Sequence, residues 1–217
     1  MRMNRLLRNA DRKQYESLIE KMKKVCPETM SRKIENANVQ QAFMLHAVGD
    51  SMQKNYSGRE LDILCVGSFE DTAYETLQAL DITVHGIDPE TDIDLATFKE
   101  EVKDLDDVPR EFDVIFSTSV IEHVKDDDSF IRDICSLLKE GGVGILTCDF
   151  NDSYKDGDKL PYSDERFYTL KDFERFEEIL KDNNCKLVGE ADWSGEPDFE
   201  HDGCKYSFAI FTFEKEK

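Results

Sequence analysis

Apolar positions follow two periods along this chain. Tyr15, Leu18, Ile19, Met22 and Val25 lie three and four apart, which predicts an amphipathic helix that Pro27 stops. A second helix is expected over residues 34–48, with Gly49 as its C′ residue. The polar stretch 50–59 contains Gly58 and reads as a linker. Residues 1–58 are therefore expected to form an N-terminal helical cap, and 59–217 a core.

From Glu60 onward short apolar runs alternate with helical patterns. Strands are expected at 61–66, 82–87, 112–117, 143–149, 185–191 and 206–213. Helices are expected at 72–80 and 128–139, and from a Thr169/Asp172 capping box through Lys181. This β-α alternation predicts an α/β fold with a mostly parallel sheet covered on both faces. Ligands of such sheets bind beyond the carboxyl ends of the strands. That rule singles out residues 67–71, Asp88, 117–123 and 149–151.

Length and composition agree with this picture. A chain of 217 residues, 39% hydrophobic, buries roughly 72% of its unfolded surface without needing disulfide staples. No apolar run approaches the roughly 20 residues of a membrane span. Six cysteines are scattered singly, several within apolar runs, and read as reduced, buried thiols. The opening residues lack the apolar region of a secretory signal, so a cytoplasmic location is expected. The net charge is −20, unevenly spread: residues 1–33 hold 10 Lys/Arg against 4 Asp/Glu, leaving 18 against 44 in the remainder. Such a field repels polyphosphates and disfavours nucleic acid as the main partner.

The loop after the first core strand, Gly67-Ser68-Phe69-Glu70-Asp71, keeps only one glycine of a G-x-G-x-x-G turn. Its two carboxylates stand where a pyrophosphate would sit, which argues against NAD or FAD. They suit a phosphate-free ligand that carries positive charge. Asp88 ends the next strand, where a carboxylate accepts hydrogen bonds from ribose hydroxyls.

Taken in order, 61–67, Gly86-Ile87-Asp88, 112–116, Ile121-Glu122-His123-Val124 and 137–142 resemble the motifs of class I S-adenosylmethionine-dependent methyltransferases. The resemblance implies a Rossmann-like methyltransferase fold: a seven-stranded sheet whose last strand runs antiparallel. It also implies S-adenosyl-L-methionine as cofactor and a methylated acceptor with S-adenosylhomocysteine as products. The phrases 116–124, 147–150 and 166–169 are similar to methyltransferases associated with cell-surface polysaccharide biosynthesis. This chain departs from the family pattern at Cys65, where an acidic residue is usual, and at Glu140, where proline is usual. Only 23 residues separate Asp88 from Phe112, so that edge of the sheet is expected to be trimmed.

Gly67, Ser68, Phe69, Asp88, Pro89, Ser117 and Ser119 are thus the expected cofactor contacts. Adenine contacts are harder to assign; Asp92, Phe98 and Asp104 are candidates. For transfer to a hydroxyl the enzyme must align the acceptor and remove a proton. His123 is the candidate base, Glu122 its orienting partner and Asp149 the alternative base. Asn151, Arg166, Tyr168 and Trp193 are candidate acceptor contacts. Ser119 occupies the first acidic position of the Glu-x-x-Glu-His arrangement that holds a divalent metal in some relatives, so no metal is expected. The expected activity is O-methylation of a small-molecule or saccharide hydroxyl. The alternative is a degenerate methyltransferase fold serving as a non-catalytic binding or scaffold protein.

Overall fold

The computed structural model describes residues 3–55, 60–161 and 164–217. The elements in chain order are β1 (Asn4–Leu7), α1 (Arg12–Val25), α2 (Pro27–Arg32), α3 (Ala37–Asn55), β2 (Ile63–Val66), α4 (Thr72–Ala79), β3 (His85–Ile87), α5 (Leu95–Glu101), β4 (Phe112–Thr118), α6 (Asp127–Leu137), β5 (Leu138–Phe150), α7 (Leu170–Asp182), β6 (Cys185–Leu187), β7 (Ala191–Asp192), β8 (Phe199–His201) and β9 (Cys204–Lys215).

The sheet runs β3-β2-β4-β5-β9-β1-β7, with β6 and β8 also pairing to β9. The pairs β2–β3, β2–β4 and β4–β5 are parallel, and β9 is antiparallel to β5. The mixed α/β architecture and the antiparallel last strand follow the sequence reading. The strand count does not: the described residues form nine strands where seven are expected. At one edge the trimmed segment after β3 holds α5 and a 3-10 turn (Val102–Asp104), with no strand. At the other edge the strand expected over 185–191 is broken into β6 and β7, and β1 fills the gap.

Asn4 explains that splice. Its buried side chain donates to Val188 O (3.1 Å) and Thr212 O (2.9 Å) and accepts from Thr212 N (2.7 Å). It closes the ladder where β6 has left β9 and β1 has not yet joined, giving partners to Val188 O and to the N–H and carbonyl of Thr212.

Side-chain alternation gives two cores. Tyr206, Phe208 and Ile210 of β9 face a cluster shared with α1 and α3, whereas Ala209, Phe211 and Phe213 face one shared with α6 and α7. Val39, Ala42, Phe43, Met44, Ala47 and Val48 of α3 are all fully buried. Gln40 and Gln41 beside them are buried too; a helix covered on most sides belongs inside a fold, and α3 packs between α1, α4, β4 and β5. Two local expectations are corrected. Gly49 does not end that helix, which continues to Asn55; residues 56–59 of the expected linker lie outside the described residues. Pro27 stops α1 but also opens α2, its missing N–H harmless at a first turn.

Candidate active site

The carboxyl ends of β2, β3 and β4 surround two adjoining cavities. Gly67 follows β2 with φ +86°, a conformation that side-chain-bearing residues rarely adopt, and a Cβ there would lie 2.2 Å from Val120 Cγ2. The close approach of Val120 leaves an apolar slot of about 510 Å³ lined by Val66, Ile87, Pro89, Ile93, Leu95 and Val120. On the other side of Gly67 and Pro89, a cavity of about 670 Å³ is lined by Phe69, Asp71, Asp88, Ser119 and His123, among others.

Asp88 is held rigidly at this junction. Its Oδ2 accepts from Phe69 N (3.1 Å) and its Oδ1 from Glu90 N (2.9 Å). A carboxylate offers about four acceptor sites, so two remain for a ligand diol. The two acidic residues of the loop are tempered by their surroundings. Asp71 caps α4 through Tyr74 N (2.7 Å) and takes the Gln41 amide (3.2 Å), while Glu70 pairs with Arg32 at 2.6 Å. Burial nevertheless holds the Asp71 carboxyl above its ordinary range. Glu70 (φ +56°) and Ser119 (φ +52°) both adopt left-handed backbone without being glycine. Such strain persists where the surrounding structure over-determines it, commonly at sites of function. An apolar slot, a fixed carboxylate and a loop without a cationic phosphate cradle fit S-adenosylmethionine.

A third cavity, of about 300 Å³, adjoins through Thr118, Ser119 and His123. Glu122, Asp149 and Asp164 line it beneath α3. Glu122 is 1% exposed; its Oε1 accepts from Asp149 N (3.3 Å), and its Oε2 has no hydrogen-bond partner among the described residues. Burial pushes Glu122 up to about 7, with the neighbouring His123 opposing the shift. Burial also raises Asp164 to about 6, and raises Asp149 well above the usual carboxylate range with help from Glu122 and Asp164. His123 Nδ1 lies 3.4 Å from Asp164 Oδ1. Gln40 of α3 donates to Ser119 Oγ (2.7 Å) and Thr147 Oγ1 (2.9 Å), so the N-terminal segment lies directly over this end of the sheet.

The methyltransferase domain family matches residues 43–190, more than half of the chain. The chain belongs to that family. Its motifs are those of the S-adenosylmethionine-dependent enzymes. Among solved structures it resembles the carbon methyltransferase CurJ (14% identity, 96% of this chain and 68% of that one, TM-score 0.52). It also resembles magnesium protoporphyrin IX methyltransferase from Synechocystis PCC 6803 (10% identity, 95% and 98%, TM-score 0.50). No curated protein matches the sequence. At such identities these structures speak to the fold alone.

The sequence-derived residues of this methyltransferase separate into two groups. Gly67, Phe69, Asp88, Pro89, Ser119, Glu122, His123 and Asp149 converge on the three cavities. The others lie elsewhere. Ser68 tucks its Cβ beneath Gly86, and Ser117 is buried within β4. Asn151 spends its amide on Lys205 O and Ser153 N, as a turn residue does. Arg166 clamps Asp127 and the carbonyls of Val124 and Lys125. Tyr168 is fully buried with its hydroxyl on Ile121 O (2.9 Å). Trp193 stacks on Phe173 with ring centroids 4.3 Å apart and donates to Ile210 O (2.8 Å). Phe98 is core, and residues 93–96, not Asp92 or Asp104, line the apolar slot. Asp164 was not anticipated: it sits in a loop with no periodic pattern. Among the described residues no cluster suited to a metal ion occurs, and no helix is long and apolar enough to cross a membrane.

Proposed function

We propose that this methyltransferase methylates a hydroxyl of a small molecule or saccharide, in the cytoplasm and without a metal. The observation that carries the reading is the placement of His123 between the cofactor-sized cavity and the carboxylate-lined one. S-adenosylmethionine supplies a methyl group on a sulfonium, whose C–S bond breaks with its electron pair remaining on sulfur as the C–O bond forms. Asp88 would hold the ribose, the slot beside Val120 the adenine, and Phe69 and Ser119 the walls of the passage between the cavities. Ser68 and Ser117 would support that wall from behind. His123 would take the hydroxyl proton, with Asp164 rather than Glu122 stabilising the imidazolium. Glu122 and Asp149 would bind the acceptor in a dry cavity, where each electrostatic contact counts for more than in water.

Of residues 1–58, the helices α1 to α3 would act as the cap that excludes water, β1 being part of the sheet, with Gln40 and Gln41 as the contacts with the site. A saccharide acceptor and a role in polysaccharide biosynthesis rest on the motif resemblance. The test is turnover of S-adenosylmethionine with a panel of hydroxylated acceptors in excess chelator. Methyl ethers as products would agree. Methylation only at nitrogen or carbon would overturn the O-methyl reading, and abolition by chelator with rescue by magnesium would overturn the metal-free one.

A further inference from the structure

The acceptor cavity gathers three carboxyl groups whose mutual repulsion its own residues relieve only by taking up protons. Glu122, Asp149 and Asp164 line it together, and among the described residues no Lys or Arg forms an ion pair with any of them. Of the two cationic residues on the wall, Arg32 is bound to Glu70 at 2.6 Å, and Lys33 lies near enough to Asp71 to favour its charged form. Among the described residues His123 meets the cluster through Asp164, and His201 also lines the cavity.

Two oxygens within the cluster are also buried without a hydrogen-bond partner among the described residues, Glu122 Oε2 and Asp164 Oδ2. Glu122 is 1% exposed and the Asp164 side chain 7%. A buried polar atom left unsatisfied is costly, and native structures retain few of them without a reason. A ligand bringing several N–H donors and a positive charge removes both defects at once.

Resting on the methyl-transfer reading above, we propose that the acceptor carries a protonated amine, as an amino alcohol or amino sugar does, and that Glu122 and Asp164 receive this ammonium. The cavity of about 300 Å³ accommodates a group of one-ring size. An ammonium offers three donors and no acceptor, which matches ionised carboxylates and not protonated ones. A neutral polyol would satisfy the oxygens but bring no positive charge to favour the ionised form of the carboxyl groups. The surplus negative charge of the whole chain further favours a cationic ligand.

The test uses the full chain saturated with S-adenosylhomocysteine at pH 7 and ligand-observed NMR. Ethanolamine and glucosamine are compared with their uncharged counterparts, ethylene glycol and glucose. The amines should bind and the counterparts should not. Glu122→Gln and Asp164→Asn should each weaken amine binding by at least about tenfold, the loss expected for a charge-assisted contact. The thermal shift produced by S-adenosylhomocysteine serves as the folding control for both variants. Equal binding of amines and counterparts, or no amine binding at 10 mM while that shift persists, overturns the proposal. Charge-selective amine binding without any shift would sustain the cation site and overturn the methyl-transfer reading instead.

Discussion

Val120 occupies the space that a side chain on Gly67 would need: its Cγ2 would lie 2.2 Å from a Cβ placed there. The two residues come from different ends of the site, the turn after β2 and the segment after β4. Their contact sets the wall between the apolar slot and the cavity beside Asp88. Gly67→Ala must therefore move Val120 and also hold alanine at φ +86°. We expect a stability loss of about 2–4 kcal/mol from overpacking and backbone strain together. Binding of S-adenosylhomocysteine, followed by calorimetry, should weaken at least tenfold. Adding Val120→Ala should recover part of the stability, because it relieves the clash but not the backbone strain.

The raised carboxyl groups predict an unusual pH dependence. Glu122 moves from 4.5 to about 7 in the folded protein, so the folded state binds the extra proton between those values. Stability from this group is fully present below about pH 4.5 and is lost as pH rises through 7. Asp164, raised to about 6, acts in the same direction over a lower window. Urea midpoints should fall between pH 5 and pH 8, and Glu122→Gln should remove part of that fall. An identical slope in the variant would show that Glu122 is not the titrating group.

Asn4 is expected to matter far more than its position near the chain start suggests. Three hydrogen bonds join it to Val188 and Thr212 across the gap between β6 and β1. Asn4→Ala leaves buried backbone groups unpaired and should cost about 2–4 kcal/mol, measured by chemical denaturation. Asn4→Asp should be worse still, because it buries a charge and removes two donors.

The aromatic residues expected to contact the acceptor should behave as packing residues. Trp193→Phe loses the bond to Ile210 O and part of a stack of rings, and Tyr168→Phe strips the donor from Ile121 O. Each should lower stability by about 1–3 kcal/mol without changing the dissociation constant for S-adenosylhomocysteine. A change in that constant with stability intact would return these residues to the site.

What the sequence displayed, and what it concealed, follow from the range of the interactions concerned. The alternating apolar runs of β2, β4 and β5 and the glycine turn at 67 are local patterns, and the structure reproduces them. The capping pair Thr169/Asp172 and the Asp202-Gly203 hairpin are equally local; both turn residues of that hairpin have positive φ. β1 was concealed because four residues containing an arginine form a strand only when β9 offers its edge, about two hundred residues away. Trp193 reads as a polar-loop residue until β7 pairs with β1 and turns it under the sheet. Asp164 carries no local signal at all; its significance lies in its distance from His123.

The central claim is that the Gly67–Asp88 end of the sheet binds S-adenosylmethionine, and a thermal-shift titration tests it most directly. A ligand at 100 times its dissociation constant stabilises by about 2.7 kcal/mol, which for a chain of this size is a rise of roughly 5–11 °C. S-adenosylmethionine and S-adenosylhomocysteine should each produce such a rise, and NADH none. A shift with NADH, or none with the two adenosyl ligands at millimolar concentration, would contradict the account.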